Sequence, residues 1–142
     1  MNKIAWSDKF SVGISLLDEQ HKRLIDMINR LIEFRNIASL SESIIETLRS
    51  MTTYALSHFE DEEKIMIDYS YPDYTSHKEQ HEEFKKKVAS FYSATPISVD
   101  ALNANVVEYL KSWLIYHILK EDMKYKRFYN EKGLLDKVTS MV

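Results

Sequence analysis

Only four residues in the chain are glycine or proline: Gly13, Pro72, Pro96 and Gly133. Both residue types are therefore absent from Ile14 to Tyr71, from Asp73 to Thr95 and from Ile97 to Lys132. A sandwich or barrel of strands needs many turns, and turns draw on these residues. Long uninterrupted helices do not. Hydrophobic residues make up 44% and charged residues 29% of the 142, a globular balance rather than a disordered one. That length predicts one domain over 1–142.

Apolar spacing divides the chain into an arm and four helices. Residues 1–17 read as an extended arm, with Trp6, Phe10, Val12 and Ile14 apolar at even spacing. A helix is expected over about 18–37, with His21, Leu24, Ile25, Ile28, Leu31 and Ile32 on one stripe. The second, about 41–69, starts at Ser41 as N-cap and carries Ile44, Leu48, Met51, Ala55, His58, Glu62, Ile65 and Tyr69. It stops ahead of Pro72, which disfavours helix in the residue before it. The third, about 73–92, opens at Asp73 and carries His77, His81, Phe84, Val88 and Phe91. The fourth, about 98–129, carries Val106, Leu110, Trp113, Leu114, His117, Ile118 and Tyr125, and a short terminal turn could follow Gly133. Four amphipathic helices with short connections predict an all-α fold, an antiparallel up-down-up-down four-helix bundle with an extended N-terminal arm.

Several classes of function are disfavoured at once. The chain has no cysteine, which removes disulfides, thiolate zinc sites, iron–sulfur clusters and a cysteine nucleophile. No apolar run approaches the ~20 residues of a membrane span, and the N-terminus lacks an apolar stretch of signal-peptide length. A cytoplasmic protein is expected. With a net charge of −3 and its basic residues scattered among acids, the chain has no footprint for nucleic acid or a membrane surface. No protein partner is named by the sequence.

The informative pattern is polar. All five histidines, His21, His58, His77, His81 and His117, fall on the apolar stripes of their helices, and every helix supplies at least one. Glu62 shares the stripe of the second helix. A single histidine on an apolar face is more often a hydrogen-bonded core residue than a ligand. Five together, with an inward glutamate, are different. Unpartnered burial would cost on the order of 2–7 kcal/mol for each group, and a shared metal centre removes that conflict. His58 and Glu62 are four apart, as are His77 and His81, so each pair can converge on one ion. The donors exceed what one first-row ion takes and suit two ions with bridging carboxylates. A zinc-protease reading fails because HKEQH lacks the glutamate directly after its first histidine.

The acid of the fourth helix is left open by periodicity. Glu121 lies four residues beyond His117, about 40° round an α-helix, and Asp122 lies five beyond, about 140° round. Yet Leu114, Ile118 and Asp122 form an inward stripe of their own.

The motifs Trp6, VGI (12–14), DEQH (18–21), HFEDEE (58–63), YPDYTSHKEQH (71–81) and WLIYHILKEDMKY (113–125) resemble those of bacterial hemerythrins, in order and over nearly the whole chain. In that family the fourth-helix acid is an aspartate five residues after the histidine, so the resemblance selects Asp122. It implies two iron ions, one held by His77, His81 and His117 and the other by His21 and His58 with one position open. Glu62 and Asp122 would bridge them together with an oxo or hydroxo group. By position, Leu24, Phe59, Trp113, Leu114 and Ile118 match the family's oxygen pocket. The implied function is reversible dioxygen binding for storage, delivery or sensing, with O₂ held as hydroperoxide at the five-coordinate iron; this is a carrier rather than an enzyme. Two departures are visible: Ser70 stands where the turn often has glycine, and Tyr129 where leucine is common. The competing class is a diiron oxidase, peroxidase or nitric-oxide-handling enzyme. Bundle oxidases carry Glu-x-x-His on two helices, a motif missing at all five histidines here. An iron or redox regulatory role is the remaining alternative.

Overall fold

A computed structural model describes residues 3–34, 41–93 and 99–134. Among the described residues there is no strand. Helix α1 spans Ser15–Phe34, α2 Ser41–Asp68, α3 Tyr74–Ser93 and α4 Val99–Tyr116. The fourth helix then widens into a π-helical stretch, His117–Asp122, and continues as α5, Met123–Glu131. Helix α1 packs on α2, α2 on α3, α3 on α4 and α4 on α1. This closed ring is the antiparallel bundle the periodicity predicts. The breaks expected near 36–40 and 94–96, and the terminal turn after Leu134, lie outside the described residues.

Each helix buries most of its expected stripe; Tyr69, Phe91 and Trp113 are half-buried, and the side chain of Ile44 lies outside the described residues. Leu24, Ile25, Ile28, Leu31 and Ile32 of α1 meet Leu48, Met51, Ala55 and Phe59 of α2, Phe84 and Val88 of α3, and Val106, Leu110, Leu114 and Ile118 of the fourth helix in one apolar cluster. A second cluster joins Val12, Ile14 and Leu17 to Ile65, Met66, Tyr71, Tyr125 and Tyr129. Fully burying a large apolar side chain contributes about 1.5–3 kcal/mol, so these two clusters hold the bundle. On α1, α2 and the fourth helix, the polar residues His21, Glu62 and Asp122 sit between members of one cluster and members of the other. The polar site therefore occupies a level of the bundle with an apolar cluster on either side.

The arm is shorter than expected because α1 starts three residues earlier. Its tip makes a 3₁₀ turn at Asp8–Phe10, and Phe10, Val12 and Ile14 are buried against the bundle. Asp18, in the first turn of α1, accepts the Val12 N–H at 2.8 Å and the Ser11 hydroxyl at 2.6 Å. Asn29 clasps both backbone groups of Ile4 at 2.7 and 2.8 Å. These bonds hold the extended segment without a partner strand.

The α2–α3 turn explains one sequence departure. Ser70 adopts φ 57°, and the Tyr71 N–H reaches back to the Met66 carbonyl at 2.9 Å. This is a Schellman-type helix end, whose left-handed residue is usually glycine. Here serine bears that conformation.

Candidate metal centre

The seven donors expected from sequence converge in the interior, each 2% exposed or less. Helix α1 presents His21, α2 presents His58 and Glu62, α3 presents His77 and His81, and the π-helical stretch presents His117 and Asp122. The four-residue pairs on α2 and α3 stack as helical geometry requires. The five-residue step from His117 to Asp122 works because this turn is not α-helical. In a π-helix the hydrogen bonds run i→i+5 and the turn is wider, which brings residues five apart onto one face. Asp122 therefore stands beside His117, with Oδ1 at 3.1 Å from its Nε2. Glu121, 8% exposed, pairs instead with the half-exposed Lys124 at 3.1 Å.

The two carboxylates divide the histidines into two sets. Glu62 Oε1 lies 2.7 Å from His77 Nε2, 3.1 Å from His81 Nε2 and 3.8 Å from His117 Nε2. Its Oε2 lies 3.3 Å from His58 Nε2 and 3.9 Å from His21 Nε2. Asp122 repeats the division: Oδ1 lies 3.2 Å from His77 Nε2, and Oδ2 lies 3.3 Å from His21 Nε2. One set is His77, His81 and His117; the other is His21 and His58. Each carboxylate turns one oxygen toward each set. Among the described residues, Glu62 belongs to both donor groups compact enough to hold an ion, one with His77, His81 and His117 and one with His21 and His58; Asp122 stands beside them and belongs to neither.

The donor chemistry fits metal. Both Asp122 oxygens are fully buried and face only the ring nitrogens of His117, His77 and His21 at 3.1–3.3 Å, without a well-formed hydrogen bond; an ionised carboxylate in that state is costly unless a cation compensates it. The Nε2 atoms of His21 and His58 are 3.1 Å apart, as are those of His81 and His117. Two nitrogens bound side by side to one ion at ~2.1 Å would stand roughly 3 Å apart.

Electrostatics point the same way. Burial pushes the Glu62 carboxyl up, but contacts from His117, His58, His77 and His81 outweigh it and hold the group well below its usual range. Burial and the Glu62 charge oppose ionisation of Asp122, yet His117 and His21 hold it below the usual carboxylate range. Burial disfavours charge on His77, while Asp122 and Glu62 overrule it and push the imidazole up to about 10. His117 is raised against burial in the same way by Asp122 and Glu62, whereas burial prevails at His58 and lowers it. Two ionised carboxylates thus share a dry interior that calls for positive charge. Protons can supply it, and so can metal cations, which bind the imidazoles in their neutral form.

The surrounding side chains fix the donors. Phe59 stacks on His81 at a centroid distance of 3.9 Å, and Trp113 stacks on His117 at 4.3 Å. Leu24, Leu114 and Ile118 lie in the same buried cluster as Phe59. The Tyr125 hydroxyl donates to Glu62 Oε2 at 3.0 Å. Sequence reasoning assigned no role to the partners of the outer ring nitrogens. Gln20 Oε1 meets His58 Nδ1 at 2.6 Å, and the Gln20 amide donates to Asp61 at 2.7 Å. Gln80 Oε1 meets His117 Nδ1 at 3.1 Å, and Glu63 Oε2 meets His81 Nδ1 at 2.7 Å. A signal was present: Gln20 and Gln80 are the only glutamines in the chain, and each directly precedes a histidine. Each reaches a histidine on the next helix.

Comparison with known proteins places the family of the chain. The profile of the hemerythrin family, described as the hemerythrin HHE cation binding domain, matches residues 12–129. The bacteriohemerythrin of Stenotrophomonas maltophilia (strain R551-3) is 32% identical over 128 residues, covering 88% of this chain and 80% of its own. A hemerythrin-like protein of Naegleria gruberi is 32% identical over 121 residues, covering 85% of this chain and 89% of its own. The crystal structure of a wild-type hemerythrin superposes with a TM-score of 0.77 at 24% identity, covering 89% of this chain and 97% of that one. The sequence match extends from the buried end of the arm to the last helix and so includes every donor described above: this chain belongs to the hemerythrin family.

Proposed function

We propose that the chain binds dioxygen reversibly at a pair of non-heme iron ions, for storage, delivery or sensing of oxygen. His77, His81 and His117 would hold one ion, His21 and His58 the other, and Glu62 and Asp122 would bridge them. The observation that supports this best is the split of the two carboxylates, each with one oxygen toward a set of three histidines and the other toward a set of two. Such a centre, when reduced, supplies two electrons to dioxygen and recovers them on release.

The protein's own residues account for the rest. The two-histidine side has one donor fewer, which makes it the side with room for a small ligand. The apolar residues Leu24, Phe59, Trp113, Leu114 and Ile118 would keep water and protons out. That exclusion favours a reversible cycle, because uncompensated charge is expensive in a dry interior. Phe59 and Trp113 would also hold the rings of His81 and His117 in place through their stacking. Tyr125, through its bond to Glu62 Oε2, would keep the carboxylate turned across both histidine sets.

A carrier is favoured over an oxidase because the donors are mostly neutral imidazoles. They give less negative charge than the carboxylate-rich sets of bundle oxidases and so stabilise high-valent iron less. The test is an iron count on purified protein with absorption spectra under argon, after oxygen, and again under vacuum. Two irons per chain and a visible band that appears with oxygen and disappears under vacuum are expected. A single zinc per chain, or irreversible oxidation on first contact with oxygen, would refute the reading.

A further inference from the structure

The outer ring nitrogens of the histidines do not all meet the same chemistry. His58 and His117 each face the amide oxygen of a glutamine, Gln20 at 2.6 Å and Gln80 at 3.1 Å. His81 faces a carboxylate, Glu63 Oε2 at 2.7 Å. That carboxylate is well sheltered: the Glu63 side chain is only 13% exposed, and His81 is fully buried. The bond crosses from α2 to α3, and its helical neighbour Glu62 faces the two histidine sets. Adjacent residues of one helix therefore address the same imidazole from opposite edges, Glu62 Oε1 at His81 Nε2 and Glu63 at His81 Nδ1.

A carboxylate behind an imidazole fixes its tautomer, orients the ring and makes the far nitrogen a stronger donor. An amide fixes and orients but adds no charge. We propose that Glu63 is a positioning and charge-tuning residue for the candidate centre. Acting through His81, it makes the His77–His81–His117 side the tighter and more readily oxidised of the two. The assignment rests on the metal-binding reading above and extends it: the two sides differ in the charge behind their histidines as well as in donor number. The charge sits where water screens it poorly, so its influence on a bound cation is not lost to solvent.

The test compares wild-type protein with Glu63→Gln, which keeps the size of the side chain and an oxygen for the His81 N–H but removes the charge. Cobalt(II) is titrated into the metal-free proteins against a competing chelator, and the midpoint potential of the iron-loaded proteins is measured. In E63Q one of two bound cobalt ions should be held about 10–100-fold more weakly while the other is unchanged. The oxidised-to-reduced ratio at fixed potential should fall about tenfold, a rise of about 59 mV for a one-electron couple. Glu63→Asp, which restores the charge on a shorter stem, should recover part of both effects; a purely packing role for this side chain would not give that recovery. Two cobalt ions bound by E63Q with wild-type affinity, at a wild-type potential, would overturn the proposal and leave the metal reading standing. Wild-type protein that takes up no metal would overturn both.

Discussion

The wide turn at His117–Asp122 makes a sharp prediction about two adjacent acids. Asp122 is fully buried with both oxygens 3.1–3.3 Å from ring nitrogens of His117, His77 and His21. Glu121, 8% exposed, pairs instead with the half-exposed Lys124 and with Gln80. Removing one member of a buried charge pair costs about 3–5 kcal/mol because the other is left uncompensated. A chain near this size loses about 2–4 °C of melting temperature per kcal/mol. Asp122→Ala should therefore lower the melting temperature of the metal-free protein by about 6–20 °C. It also deletes a donor shared by both histidine sets, so metal retention should fall by more than the ~100-fold upper end seen when an outer partner is lost. Glu121→Ala removes an ion pair whose lysine is half-exposed and screened by solvent, worth about 0–1 kcal/mol, and should move the melt by at most about 4 °C with metal retained. The assay is scanning calorimetry of both variants, with metal retention measured against a chelator. If Glu121→Ala loses metal and Asp122→Ala keeps it, the π-helical placement of the acid is wrong and so is the reasoning built on it.

Three further outcomes are expected. Ser70→Gly relieves a left-handed serine, a conformation that costs a side chain about 1–2 kcal/mol; part of that gain is lost to the freer unfolded chain. A net gain near 1 kcal/mol should raise the melt by about 2–4 °C, and a lower melt would contradict the turn geometry. The metal-free protein should be most stable around neutral pH. Glu62 and Asp122, held below their ordinary values of 4.5 and 3.8, add stability that is present above those values and lost as pH falls. His77, raised from 6.5 to about 10, adds stability that is full below pH 6.5 and lost as pH climbs through 10. Denaturant titrations of stripped protein across this span should show a dome, and a flat profile would mean that the carboxylates and His77 are not coupled. Finally, Leu114→Ser should speed autoxidation of the iron-loaded protein by admitting water; an unchanged rate would remove Leu114 from the oxygen pocket.

Much of this molecule can be read from residue spacing, because helices that bury one face leave a periodic record. The stripe from Leu48 to Ile65 on α2, with His58 and Glu62 upon it, is plain once Gly and Pro are seen to be missing. The start of α1 was harder to see. Asp18 serves as an acceptor for the arm from inside the first helical turn, so it resembles a cap while the helix already begins at Ser15. The choice between Glu121 and Asp122 could not come from periodicity at all. A 3.6-residue period carries no mark of a local change to i→i+5 bonding, and resemblance rather than geometry selected the aspartate. The outer partners Gln20 and Gln80 left a faint mark, each standing directly before a histidine, but which histidine each would meet was out of reach, as was Glu63, since each contacts a histidine on a different helix. Such contacts depend on how the helices are rotated against one another.

The π-helical stretch has a further consequence for the chain beyond it. It accommodates one more residue than a regular turn, so everything from Met123 onward is phased differently from α4. Tyr125 and Tyr129, both fully buried, take their places in the second apolar cluster directly after it. Sliding this frame by one residue would misdirect the aspartate at one end and both tyrosines at the other. Constraint on chain length should accordingly be tightest in the six residues from His117 to Asp122, where a one-residue gain or loss would disturb the cage and the aromatic base of the bundle together.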